Sequence, residues 1–206
     1  MSWANLSFRE RKQLIRQQML ALRNSKLIQE LDSLSADITR TLLELPEIIG
    51  ADTVSTYLHI GSEVRTSSIV DWLLSNGRKV IIPITDKTNK RLIFSELRLP
   101  ERELQRGALG IPEPKPEFRK PVPLEQADVV LVPGVAWDLR GYRIGYGAGY
   151  YDRSLNSLKR PVPKIGLSFE FQIVERIPKG RFDRRVDKLV TERRCVDMNL
   201  DQLTPR

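Results

Sequence analysis

Apolar residues recur at helical spacing near the start of the chain. Leu14, Ile15, Met19 and Leu22 lie three and four apart, predicting an amphipathic helix from about residue 8 to the mid-twenties. Ser7-Phe8-Arg9-Glu10 opens it as a capping box, in which Ser7 and Glu10 satisfy each other's free amides. A second helix is expected over residues 36–45, ended by Pro46. Then the period changes. Residues 53–58, Thr-Val-Ser-Thr-Tyr-Leu, read as a strand, and residues 66–76 as a helix with Ile69, Val70, Leu73 and Leu74 inward, stopped by Gly77. Residues 79–84 form another strand, so strand, helix and strand with short links make a βαβ unit, which implies parallel strands and a right-handed crossover. Residues 91–95 read as one more strand.

Residues 98–123 carry Pro100, Pro112, Pro114, Pro116, Pro121 and Pro123, and read as a long connection with one short helix near 101–106. It is either a linker or an ordered loop over a site. Residues 127–133, Ala-Asp-Val-Val-Leu-Val-Pro, are a continuous apolar run of the kind buried on both sheet faces. A helix over 150–158, a strand over 164–168 and a last short strand around Val186, Leu189 and Val190 complete the pattern. The sum is a three-layer α/β fold with a mostly parallel sheet and helices on both faces, one domain over residues 1–206. In such sheets ligands sit at the carboxyl ends of the strands.

The segment GYRIGYGAGYYD, residues 141–152, falls at that end. Gly145, Gly147 and Gly149 alternate just before a helix, so their bare amides and the helix N-terminus can close on a polyanion. No Gly-Lys-Ser/Thr follows, which excludes a Walker A loop, and the glycine spacing is wrong for a Rossmann fingerprint. Asp152, in the first helical turn, can hold Mg²⁺ against phosphate oxygens, and Arg143 can neutralise charge. The competing reading is a close-packed turn with Asp152 only compensating the helix dipole. Tyr150 and Tyr151 fit a core or a pocket wall, or a stacking surface for a flat heterocycle.

Composition adds bounds. With 40% hydrophobic and 29% charged residues the chain is an ordinary globular protein, and 206 residues suffice for one good core. No apolar run approaches the ~20 residues that cross a bilayer. The basic, amphipathic start is compatible with a transit peptide, though Glu10 counts against one. The lone Cys195, read as buried or incidental, excludes an intramolecular disulfide and a cysteine metal cluster, so a reducing cytoplasm is expected. A net charge of +8 attracts nucleic acid, acidic membrane or a multiply charged substrate, or is simply a solvated basic surface.

RIGYGAGYYD closely resembles the signature of the 5-formyltetrahydrofolate cyclo-ligase family, an Arg-x-Gly-x-Gly-x-Gly-Tyr-Tyr-Asp segment after a strand ending in Pro-Gly, here Pro133-Gly134. The likeness is collinear along nearly the whole chain. It runs through Lys12 and Arg16, Glu63-Val64-Arg65-Thr66, Gly110-Ile111-Pro112-Glu113-Pro114, Phe171-Gln172, Asp183-Arg184-Arg185-Val186-Asp187 and Thr191-Glu192. Leu109, where many members have an aromatic, Phe182, where bacterial members often have His, and Ala148 depart from it.

The resemblance implies conversion of 5-formyltetrahydrofolate, with or without a polyglutamate tail, to 5,10-methenyltetrahydrofolate with ATP and Mg²⁺. It places Lys12, Arg16 and Arg143 on the ATP phosphates, with the segment Gly145, Tyr146, Gly147, Ala148, Gly149, Tyr150 and Tyr151 wrapping the nucleotide. Asp152 and Asp183 would hold Mg²⁺, and Arg143 and Asp152 would act at the reacting phosphate. Leu58, Glu63 and residues 147–151 would meet the folate. Taken alone, Glu63 is a surface charge, Lys12 and Arg16 are the wet face of a helix, and His59 is a packed or loop residue. Arg181, Arg184, Arg185, Arg193 and Arg194 read first as a solvated face and second as an attraction for polyglutamate. A monomer in the cytoplasm, without nucleic-acid or membrane partners, is expected. The rivals are a relative with the same ATP site but another substrate, and a basic nucleic-acid-binding module.

Overall fold

The computed structural model describes residues 6–107 and 110–198. Along the chain run α1 (Phe8–Asn24), α2 (Ile28–Leu43), α3 (Pro46–Ile49), β1 (Thr53–Ser55), α4 (Ser67–Ser75), β2 (Lys79–Asp86) and β3 (Arg91–Leu97). There follow α5 (Pro100–Glu103), β4 (Leu104–Arg106), β5 (Pro112–Pro114), β6 (Val129–Val132), β7 (Ala136–Trp137) and β8 (Arg143–Ile144). The last elements are α6 (Tyr150–Asn156), β9 (Lys164–Leu167), β10 (Lys188–Val190) and β11 (Cys195–Asp197). Seven strands form one sheet in the order β11-β10-β9-β6-β1-β2-β3. Its interior pairs are parallel, and the two edge strands β3 and β11 run antiparallel to their neighbours.

The alternation of side chains along the strands builds two cores. Val80 and Ile82 of β2, with Val129 and Leu131 of β6, face Leu31, Ile38 and Leu42 of α2 and Ile69, Val70 and Leu73 of α4. Their neighbours Ile81, Val130 and Val132 face the other way, onto Trp137 and onto Leu155 of α6. Helices therefore cover both faces, giving the expected three layers. All four residues of β6 are buried, so neither face of that strand needs a polar residue. Each such Val, Leu or Ile side chain contributes about 1.5–3 kcal/mol by leaving water. Among the described residues no helix is long and apolar enough to cross a membrane.

Several boundaries differ from the sequence expectation. α2 begins at Ile28 rather than near residue 36, and its N-cap Leu27 makes no side-chain cap, so no start signal marks it. Pro46 opens α3 at its first turn as well as closing α2. β1 stops at Ser55, and residues 98–123 hold a β4–β5 hairpin in which Pro112 and Pro114 sit opposite Arg106 and Leu104. Proline is tolerated there because the two strands are both edges. Cys195 is exposed on β11, not buried. Leu109 lies outside the described residues.

Trp137 is fully buried across β9, where a Cβ on Gly166 would come within 2.5 Å of its ring and 2.9 Å of Leu189 Cδ1. Gly166→Ala should therefore lower stability by about 1–3 kcal/mol, as overpacked cores do, in a urea unfolding curve. An unchanged midpoint would mean that the indole has room to move.

Candidate active site

The chain leaves β6 at its carboxyl end, turns through the β7–β8 hairpin and enters the glycine segment before α6. The fully buried Asp138 pins the hairpin. It accepts from the Ile177 amide at 2.9 Å and the Arg140 amide at 3.0 Å, and pairs with the Arg140 guanidinium. The glycine segment is thus launched from a rigid base. Gly147 has φ +106° and Gly149, the N-cap of α6, is left-handed at φ +68°. An L side chain in that left-handed region costs about 1–2 kcal/mol, which accounts for glycine there. Arg16 crosses from α1, donates from Nε to the Gly145 carbonyl at 2.7 Å and lays its guanidinium beside Gly147. Its partial burial lowers its pKa without threatening its charge. Gly147 and Ala148 stay exposed, so their backbone is open to a ligand. Arg153 braces the turn, donating to the Ala148 carbonyl at 2.7 Å while lying over the Tyr150 ring.

Two carboxylates flank this loop. Asp152 Oδ1 accepts from Arg143 Nη2 at 3.0 Å and from the Arg184 amide at 3.2 Å, while Arg143 Nη1 donates to the Arg184 carbonyl at 2.9 Å. Asp183 Oδ2 pairs with Lys12 and accepts from the Gly180 amide at 2.7 Å. Asp152 and Asp183 thus meet around residue 184, although 31 positions separate them in the chain. Each takes its described bonds on one oxygen, leaving the other for a cation. Among the described residues no group of three or more His, Cys, Asp or Glu is gathered as a metal site. Mg²⁺ asks for less than that: one or two carboxylates, with waters and phosphate oxygens completing its shell. Asp152 and Asp183 supply that number of carboxylates, each with one oxygen outside its described hydrogen bonds.

The other end of the site is buried. Glu63 is only 5% exposed and accepts from the Ile60 amide at 3.0 Å. Desolvation pushes its carboxyl above the ordinary range, against the pull of that amide, of Arg23 and of the Tyr146 hydroxyl. Burial and the Glu63 charge raise Tyr146 to about 12, and push Tyr57 and Tyr151 up as well, so these phenols stay neutral. The Tyr151 hydroxyl is buried without a hydrogen-bond partner among the described residues, while its ring packs on both cores. Tyr146 exposes half its surface yet receives Arg23 Nη2 on its hydroxyl at 2.7 Å.

Most of the residues expected at the site do converge. Lys12 meets Asp183, Arg16 meets the glycine turn, and Arg143 meets Asp152. Lys12 and Arg16 are half-buried rather than a wet face, and Glu63 is no surface charge. Arg143 is nearly enclosed, so its first task is to hold Asp152. Leu58 packs against the core under α2 and α4. Other family-like pieces serve as scaffold: Glu113 accepts from the Thr85 amide, Gln172 donates to the Val135 carbonyl, and Thr66 exchanges bonds with His59, which is a packed residue. Arg184 and Arg194 are tied to Asn156 and Glu170. Phe182, beside Asp183, is exposed. Sequence reasoning missed Arg23, Tyr57 and Ser62. A signal for Arg23 existed: it lies about three helical turns beyond Lys12, on the same face of α1 as Lys12 and Arg16.

A parallel sheet with a glycine turn, paired carboxylates and a cationic helix converging at its strand ends defines a three-layer α/β enzyme. A model of the 5-formyltetrahydrofolate cyclo-ligase family matches residues 8–192. The chain belongs to that family. The cyclo-ligase of Haemophilus influenzae is 27% identical over 175 residues, which cover 84% of this chain and 94% of that one. The cyclo-ligase of Escherichia coli is 32% identical over 152 residues, covering 73% and 83%. The NMR structure of Aquifex aeolicus 5,10-methenyltetrahydrofolate synthetase matches with a TM-score of 0.80 at 32% identity, covering 95% of this chain and 96% of that one.

The raised Glu63 pKa has a signed consequence. The folded state binds this proton more tightly than the unfolded chain, so folding loses stability as pH rises from 4.5 through the folded value. Relative to Glu63→Gln, the wild type should lose about 1.4 kcal/mol for each unit by which the pKa is raised. Urea unfolding of both proteins at pH values on either side of this window measures it. Parallel stability curves would show that Glu63 titrates normally.

Proposed function

We propose that this protein closes the ring of 5-formyltetrahydrofolate to 5,10-methenyltetrahydrofolate with ATP and Mg²⁺, releasing ADP and phosphate. The observation carrying this reading is the open backbone of Gly147 and Ala148, set between the Lys12–Asp183 and Arg143–Asp152 pairs and flanked by Arg16. The triphosphate would lie along this turn, its charge met by Lys12, Arg16 and backbone amides. Mg²⁺ would be held by Asp152 and Asp183 and would neutralise phosphate charge.

The chemical problem is a poor electrophile. The N5-formyl group is amide-like and N10 is a weak nucleophile. The formyl oxygen attacks the γ-phosphorus and ADP leaves. N10 then attacks the activated formyl carbon, the C–O bond breaks with phosphate as the leaving group, and the N10 proton is lost. No covalent enzyme intermediate is needed, and the protein's work is positioning and charge stabilisation. Arg143 holds Asp152 in place through its 3.0 Å bond to Oδ1. Glu63 accepts N–H groups from the pterin edge, with Tyr146, Tyr151 and Leu58 as walls. We infer action as a monomeric single domain in the cytoplasm, without nucleic-acid or membrane partners.

Purified protein mixed with ATP, Mg²⁺ and 5-formyltetrahydrofolate should generate the methenyl chromophore, and omission of any one should abolish it. Bound ATP without product would point instead to a relative with another substrate. Asp152→Asn keeps the Oδ1 acceptor for Arg143 and should fold, yet lose about 100-fold or more in kcat. Near-normal turnover would remove Asp152 from the metal site.

A further inference from the structure

Arg23 is 2% exposed at the end of α1. A buried guanidinium is tolerated only where its fork is filled. Here each arm reaches a different segment. Nε donates to Ser62 Oγ at 3.0 Å, Nη1 to the Gly134 carbonyl at 3.4 Å, and Nη2 to the Tyr146 hydroxyl at 2.7 Å. These are the loop bearing Glu63, the exit of β6 and the glycine turn. The Ser62 hydroxyl in turn donates a hydrogen bond to Asn24 Oδ1 at 2.5 Å. Among the described hydrogen bonds none joins Arg23 to Glu63 directly. Arg23 instead grips Ser62, next to Glu63 in the chain, and Tyr146, whose hydroxyl bears on the Glu63 carboxylate.

We propose that Arg23 is a positioning residue for the pterin end of the substrate, clamping Ser62 and Tyr146 so that the Glu63 carboxylate stays aimed at the pterin N–H groups. This rests on the folate reading above. Lysine could not do the same: a single ammonium cannot match three separated acceptors with a planar fork. The clamp also has an electrostatic side. Glu63 faces Arg23 and Arg65 as cations, and Tyr57, Tyr146 and Tyr151 as phenols. Burial drives the carboxyl towards its protonated form, and Arg23 opposes that. Without the guanidinium, Glu63 would take up a proton at higher pH and lose acceptor capacity.

Arg23→Met and Arg23→Lys test this, with folate and ATP varied separately across the acid and neutral range. Arg23→Met should raise the KM for 5-formyltetrahydrofolate about tenfold or more, the scale of a lost charged hydrogen bond, while the KM for ATP stays within about twofold. The acid limb of kcat/KM for folate should move to higher pH. Arg23→Lys keeps the charge, so its acid limb should stay near that of the wild type while the folate KM rises. Both KM values rising together with an unmoved acid limb in folded Arg23→Met would overturn the proposal. If Arg23→Met does not fold, Arg23→Lys decides: a wild-type folate KM overturns the proposal, and a raised one with ATP unaffected supports it. The Glu63 carboxyl ¹³C titration in the free protein, assigned with Glu63→Gln, needs no turnover. Loss of folate activity in the wild type would sink the functional reading, whereas an unmoved Glu63 titration in the folded Met variant would sink the role of Arg23.

Discussion

Helix α1 is held to the body of the protein chiefly by its cations. Only Ile15 and Arg23 are fully buried along its 17 residues. Ile15 fills a small cluster with Ala136, Ile144 and Ile177, Met19 packs against it, and the hydrogen-bonded attachment is made by cations. Lys12 takes Asp183, Arg16 takes the Gly145 carbonyl, and Arg23 takes Ser62, Gly134 and Tyr146. A helix is a rigid ruler, rising about 1.5 Å per residue. Fixing three loops to one ruler fixes the loops relative to one another. The Arg143–Asp152 pair ties the Asp183 segment to the glycine turn as well, and α1 adds the link from both to the Glu63 loop.

The sheet decides where those loops can be. Parallel pairing through β2, β1, β6, β9 and β10 brings the exits of β1 and β6 to the same edge, so the Glu63 loop and the β7–β8 hairpin start as neighbours. Packing then sets their height. Trp137 fills the space above Gly134 and Gly166, and Asp138, the next residue, locks the hairpin from inside. Hydrophobic burial thus carries the stability, and the polar groups set the geometry. That division explains how a chain can keep Glu63 and Arg23 buried at all: the cores on both faces of the sheet offset the desolvation of two ionisable groups.

The parts of this architecture with a clear period were legible. β6 was visible as an unbroken apolar run, and α4 and β2 by spacing, because burial on one or both faces imposes a pattern. β7 and β8 have two residues each, too few for any period, and β4–β5 hides behind prolines that normally argue against strands. The start of α2 was missed because nothing caps it. Within the site, the glycine turn declared itself through composition. Lys12, Arg16, Glu63 and Asp183 were nominated only by their collinear resemblance to a family, since each alone reads as solvent-facing. Arg23 had no such support. A charged residue buried by contacts from three distant segments leaves no local trace beyond its place on a helix face.

The span of these contacts along the chain has a consequence for how the protein is made. Lys12 and Asp183 are 171 positions apart, Arg16 and Gly145 are 129 apart, and Arg23 and Tyr146 are 123 apart. At ribosomal speed the first helix emerges roughly ten to thirty seconds before its final partner is synthesised. A lone helix of this length is marginal in water, so it waits without a fixed seat. The pairing that seats Lys12 therefore forms only after most of the chain has been made, and a nascent chain cut short before Asp183 lacks it.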